Sequence, residues 1–232
     1  MSVATRAYGT DPPGTDCPSA HRPGAAGDGA AGDGTDGPGT DGPGTGVRAG
    51  FARTLVAGVG RPGPGTVQLV TRVLGALVAD AEPPGHAPIV LAATDHCLRA
   101  VAEFVATCED TTRRLRPSVS LALEPSLLLG RFTVEQEWAA PCYALVTPGG
   151  AGASALRWAT AAVRGGTVPA AVVCEVVHGQ RAGEETVLAV AALIGPGGAP
   201  TAGVRALDPD RDMPAGLDSV LLRAARGEVA GT

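Results

Sequence analysis

The chain has no lysine; all 18 of its cations are arginines, set against 23 acids for a formal net charge of −5. With an acidic balance and no basic patch, nucleic acid is not the expected partner. Aromatic residues make up only 3% of the sequence, although 44% of it is hydrophobic. The core is therefore expected to consist of aliphatic side chains packed against small ones. No apolar run approaches the ~20 residues that a bilayer-spanning helix needs. The first residues also lack the charged-then-apolar layout of a secretion signal. A cytoplasmic protein with no membrane partner is expected. C-x-x-C pairs are missing too. The five cysteines, Cys17, Cys97, Cys108, Cys142 and Cys174, are odd in number. Buried free thiols are expected rather than disulfides or zinc ligands.

Glycine and proline are plentiful and concentrate at one end. Residues 1–50 are rich in Gly, Pro, Asp, Thr and Ala, with Thr35-Asp36-Gly37-Pro38-Gly39 repeated as Thr40-Asp41-Gly42-Pro43-Gly44. Too little apolar surface is present there to offset the entropy of ordering, so a long disordered N-terminal tail is expected. Such a tail is either a flexible acidic docking arm or drifted sequence without function. One domain is expected over 53–232.

Within it, residues 54–60 form a short apolar run ending in Gly58-Val59-Gly60, the first expected strand. Pro62 and Pro64 follow and no third glycine opens a helix, which argues against a dinucleotide loop. Thr66 is placed to cap a helix to about Ala81, with Val67, Val70, Val73, Leu74, Leu77 and Val78 on one face. Residues 88–94 are continuously apolar, as a centrally buried strand should be. Asp95 can cap a second helix over about 96–108, with Leu98, Val101, Ala102 and Val105 at core spacing. His96 and Cys97 lie about 100° apart around that helix, so they do not meet as a base and a nucleophile. Arg113, Arg114 and Arg116 form a basic cluster, either solvated or facing an acidic carrier protein. Leu127, Leu128 and Leu129 fit a subunit interface or a simple core equally well. Residues 168–177 and 184–194 read as two further strands, joined by an exposed polar link from His178 to Gly183. Residues 216–226, with Leu217, Val220, Leu221 and Ala224, form a last amphipathic segment.

One stretch organises the rest. Residues 142–147 read as a short buried strand bounded by Pro141 and Pro148, with Cys142 packed in the core. A small-residue turn follows, and then a helix to about Arg164, with Ala155, Leu156, Ala159, Ala162 and Val163 near a 3.6-residue period. A strand that feeds a helix through such a turn can hold a nucleophile at the positive end of the helix dipole. The stretch resembles the active-site elbow of β-ketoacyl synthases, which runs Gly-Pro-(Asn/Cys)-Tyr-Ala-x-Val-Thr-Ala-Cys. Pro141, Cys142, Tyr143, Ala144, Val146, Thr147 and Gly152 fall on that pattern. The family's catalytic cysteine position falls on Gly149, within an elbow of Thr147, Pro148, Gly150 and Gly152.

The resemblance covers about 53–195. It implies a thiolase-like α/β half-fold: a mixed, mostly parallel sheet with helices packed on it. The family's reaction needs the cysteine and two histidines from the second half of the fold. Gly149 has no nucleophile, and His178 is the sole histidine after it. The chain thus resembles short, N-terminal-only ketosynthase-like proteins, with a chain-length-factor-like role as the nearest analogue. Chain-length factors usually carry Gln at the position of Gly149, so decarboxylation is not implied either. The expected partners are a ketosynthase or an acyl-carrier protein, in a homo- or heterodimer, with no catalytic residues, cofactor or metal. Two alternatives stand beside this reading: an enzyme using Cys97 or Cys142, and a remnant or unrelated α/β binding module.

Overall fold

The structure, a computed structural model, describes residues 49–83, 86–112, 114, 116, 120, 123–147, 150–181, 183–196, 203–207 and 218–228. Nearly all of the expected N-terminal tail, and Pro148 and Gly149 in the elbow, lie outside the described residues. The strands are β1 (Ala49–Gly60), β2 (Ile89–Ala92), β3 (Cys142–Leu145), β4 (Ala171–Arg181), β5 (Glu184–Pro196) and β6 (Gly203–Ala206). The helices are α1 (Pro64–Ala81), α2 (Thr94–Glu109), α3 (Leu127–Glu135), α4 (Ala151–Arg164) and α5 (Val220–Ala225). The strands form one sheet in the order β3-β2-β4-β5-β1-β6. β5 runs antiparallel to both β4 and β1, and the other pairs are parallel. The expected mixed, mostly parallel α/β architecture is what forms.

Helices cover both faces of the sheet, so its central strands must be apolar on both sides. Alternation along the strands assigns each residue to a face. On β1, Val56 points to one layer while Leu55, Ala57 and Val59 point to the other. On β5, Val187, Ala189, Ala191 and Leu193 alternate with Leu188, Val190, Ala192 and Ile194 in the same way. The first layer is closed by Leu69, Val70, Val73, Leu74 and Leu77 of α1 and by Leu128, Leu129 and Phe132 of α3. The second is closed by α4 and α5. Ala151, Ala155 and Ala159 of α4, spaced by four, sit on one side of that helix and let it approach the sheet closely.

Several local expectations change in the fold. α1 begins at Pro64, two residues before Thr66. Proline is favoured there because its missing N–H has no partner in a first turn. α2 starts at Thr94 with Ala93 before it, and Asp95 makes no side-chain capping bond. The proposed link from His178 to Gly183 is mostly strand: β4 runs through Arg181, paired residue for residue with β5. Gly183, at φ 83, lies in the tight connection that remains. Among the described residues only β2 pairs with β3, which lies exposed at the edge of the sheet, so Cys142 is exposed rather than buried. α2 buries only Cys97 and Ala100. Leu98, Val101 and Val105, expected to face the core, point outward at 63%, 48% and 46% exposure. No helix among the described residues is long and apolar enough to cross a membrane.

Phe132 is fully buried at the centre of the α1–α3 layer, whereas Val134 on the same helix is 79% exposed. Phe132→Ala is expected to cost about 3–5 kcal/mol in urea unfolding, and Val134→Ala less than about 0.5 kcal/mol. Comparable losses at the two positions would contradict this layer arrangement.

Candidate functional site

β2, β3 and β4 run parallel and reach the same edge of the sheet, where the ladders end on Leu145, Ala92 and Glu175. In open α/β sheets the crevice beyond the carboxyl ends of the strands is the usual ligand position. Here a cavity of about 350 Å³ opens between that edge and the starts of α2 and α4. The two strand-to-helix turns are clasped together. Thr94 Oγ1 donates to the Thr147 carbonyl at 2.9 Å and accepts from the Thr147 N–H at 3.1 Å. Gly150 then opens α4 at φ 147, ψ 31, a backbone region that favours glycine.

At the second position of α4, Gly152 is buried for a specific reason. A Cβ built on it would lie 2.0 Å from Glu175 Oε1 and 3.3 Å from Val220 Cβ. Glu175 is itself only 5% exposed. Ser219 Oγ donates to Glu175 Oε2 at 2.6 Å, and the Leu221 N–H donates to the same oxygen at 3.1 Å. Ser219 Oγ also accepts from the Leu222 N–H at 3.3 Å, capping α5. Burial pushes the Glu175 pKa up, opposed by the bonds from Ser219, Leu221 and Val220. Glu175 thus links β4 to α5 and fills the space that a side chain at position 152 would take.

The crevice is poorly suited to an anion, although it adjoins the positive end of α4. Asp95, Glu175 and Asp218 line it, and the one cation among its described lining residues, Arg223, is bonded to Asp218 at 3.1 Å. Among the described residues no cysteine or serine makes a hydrogen bond to a histidine. Ser154 Oγ instead accepts from Arg157 at 3.2 Å. Burial pushes the Cys97 thiol up, with Glu124 adding to it, and Cys174 is pushed up to about 12 by burial and by Glu175. A raised pKa works against the reactive thiolate at both. Among the described residues, no group of three or more His, Cys, Asp or Glu could hold a metal ion.

Two histidines that the sequence analysis set aside, His96 and His178, meet each other. His178 lies on β4, three residues beyond Glu175 and therefore toward the opposite face. It is half-buried, not the solvated loop residue expected. Its ring packs against His96 of α2, with centroids 5.6 Å apart and planes at 33°. Both nitrogens of His178, and Nδ1 of His96, are buried without a hydrogen-bond partner. Burial lowers the pKa of both rings. For His178, His96 and Arg99 add to the lowering and Asp95 and Glu185 oppose it. For His96, Glu103 opposes the lowering and Arg99 adds to it. Sequence reasoning did not anticipate this pair, because the residues are 82 positions apart on a helix and a strand. Glu175 was likewise missed; a lone acid within an apolar strand run was the available signal.

Two measurements test these contacts. Gly152→Ala is expected to destabilise by about 1–3 kcal/mol through overpacking. Combined with Glu175→Ala it should cost less than the sum of the two single changes, because the clash needs both groups; strict additivity would refute the contact. The histidines set a pH dependence. Their folded pKa values lie below the ordinary 6.5. Their contribution to stability is therefore complete above about pH 6.5 and is lost as pH falls through the folded values. His178→Phe should flatten this acid-side loss in denaturant titrations; an unchanged slope would contradict the assignment. Comparison with known proteins adds little. No family model and no curated protein matches the sequence. Among solved structures the chain is similar to a ketosynthase (ApeO) in complex with its chain length factor (ApeC) from Xenorhabdus doucetiae, at 12% identity and a TM-score of 0.46. The match covers 58% of this chain and 58% of that one, so the chain spans less than two thirds of its neighbour.

Proposed function

We propose that the protein is a non-catalytic ketosynthase-like subunit. It works beside an active ketosynthase or an acyl-carrier protein in polyketide- or fatty-acid-type biosynthesis. The observation that carries this reading is a mismatch within the elbow. The motif from Pro141 to Thr147, the turn glycine Gly150 and the helix that would present a nucleophile are retained, yet Gly149 occupies the family's cysteine position. Acyl transfer to the protein requires a nucleophile, and the raised pKa values of Cys97 and Cys174 work against a thiolate at either. The role left to such a subunit is to stabilise or shape a catalytic partner.

A partner surface is consistent with this. α2 turns Leu98, Val101 and Val105 outward, and β3 leaves one edge unpaired among the described residues. Tyr143 on β3 packs against Trp158 of α4 with the rings tilted at 54° and centroids 5.3 Å apart, and both residues are exposed. Apolar surface and open strand edges of this kind are normally covered by another chain. The protein is therefore proposed to form a homodimer, or a heterodimer with a ketosynthase.

Intact-mass spectrometry after incubation with an acyl thioester should show an unchanged chain. Light scattering at micromolar concentration should show a dimer, alone or with a co-expressed ketosynthase. Leu98→Arg should reduce it to a monomer with an unchanged circular dichroism spectrum. An acyl adduct on Cys97 or Cys142 would make the protein an enzyme with a different nucleophile, and a monomer under every condition would remove the subunit reading.

A further inference from the structure

Helix α2 is held by less than either of the other long helices. α1 and α4 each bury seven residues, whereas α2, with 16, buries only Cys97 and Ala100. No residue of α2 beyond Ala100 is buried. Its start is tied down, because Thr94 bonds both ways with Thr147 and the Ala93 N–H donates to the Leu145 carbonyl at 3.3 Å. Below it, toward Val67 and Leu128, a second cavity of about 370 Å³ takes the place of packed side chains. The buried contacts of α2 therefore lie in its first two turns.

One of those contacts does not tolerate a proton. His96 lies on His178 of β4, with ring centroids 5.6 Å apart, and neither nitrogen of His178 has a hydrogen-bond partner. Nδ1 of His96 has none either. Protonation gives an imidazole a second N–H and a charge. In this seam the added donor finds no acceptor and the charge finds no water. Two charged rings at this distance would also repel each other. The charged groups around the pair do not reverse this. Arg99 of α2 bonds to Glu103 at 2.9 Å and reaches across to Glu185 of β5 at 2.6 Å. Both carboxylates are thereby committed to a guanidinium whose own charge opposes another cation. Asp95 and Glu185 favour an imidazolium at His178, and Glu103 favours one at His96, but burial outweighs them. From the α3 side, Glu124 faces the cavity.

We propose that α2 is an acid-released element: a proton on the His96–His178 pair frees the helix from β4, about its tether at Thr94, while the rest of the sheet stays folded. Parting α2 from β4 is the least costly way to bring water to the rings. It gives up two small buried side chains rather than a whole apolar layer. Opening returns the rings to an ordinary pKa of about 6.5, above their folded values. The seam is therefore intact above about pH 6.5 and weakens as pH falls below it. One imidazole kept neutral by burial makes opening about 30-fold easier at about pH 5 than at neutral pH. The device does not depend on the subunit reading, because both rings belong to one chain.

Hydrogen exchange of the full chain, read by mass spectrometry at about pH 7.5 and about pH 5 with intrinsic rates corrected, tests it. Peptides within 94–109 are expected to lose protection at least about tenfold in acid. They should be less protected than β5 at both pH values. Dilute urea should leave their exchange unchanged while speeding that of β5, as a local opening requires. Combining His96→Phe with His178→Phe should hold the acid response of α2 within about twofold. His96→Leu with His178→Leu provides the same test should the first pair fail to fold. Equal protection and equal urea dependence of α2 and β5 would mean that acid only unfolds the whole chain, and would overturn the proposal. An unchanged α2 in acid, or an acid response kept by the double variants, would overturn it as well.

Discussion

The structure on the α4 side depends on a buried carboxylate meeting a residue with no side chain. Glu175 sits at the row where β2 and β3 end and β4 continues, only 5% exposed. A carboxyl group cannot be buried there without hydrogen bonds, and Ser219 and the Leu221 N–H supply them. Those same bonds fix the start of α5, a six-residue helix too short to hold itself. Gly152 completes the arrangement by leaving room for Glu175 Oε1. One contact therefore joins the central strand, the elbow helix and the terminal helix, and the apolar packing of Leu221, Leu222 and Ala224 follows from it.

This arrangement bears on the chemistry of the elbow. A helix N-terminus set against the ends of parallel strands is a ready-made anion or oxyanion site. Here three acids line the adjoining crevice and its arginine is already paired. The N-terminus of α4 thus adjoins surroundings that oppose negative charge. The neighbouring cysteines are buried deeply enough, or placed close enough to acids, to keep their protons. On the other face, α2 buries only the small side chains of Cys97 and Ala100 and turns Leu98, Val101 and Val105 to the surface.

Much of the sheet was legible in the sequence. Residues 89–92 and 187–194 are apolar without interruption, which only a strand covered on both faces requires, and both are buried. The hydrophobic period of α1 also identified its buried face, with Val70, Val73, Leu74 and Leu77 inward. Residues 142–145 were read as a strand, but not as an exposed one. Cys-Tyr-Ala-Leu looks the same locally whether the strand is central or at an edge, and its place was set by which strands lie beyond it. In α2 the period was correct and the direction was not, because periodicity defines a stripe without saying which side of it the sheet lies on. His178 belonged to a polar run that reads as a loop; pairing with β5 extended β4 through it. β6 gave little warning, being four residues within a Gly- and Pro-rich stretch.

By itself the sequence determined the alternation of strand and helix, the aliphatic character of the two layers and the absence of a nucleophile at position 149. These are local properties, written in residue type and spacing. The tertiary structure decided which strand became the edge, which stripe of α2 met water, and why Gly152 must be glycine. It also brought His96 to His178, and Ser219 to Glu175. Each of these depends on residues distant in the chain arriving at one place, and no window of sequence contains both partners.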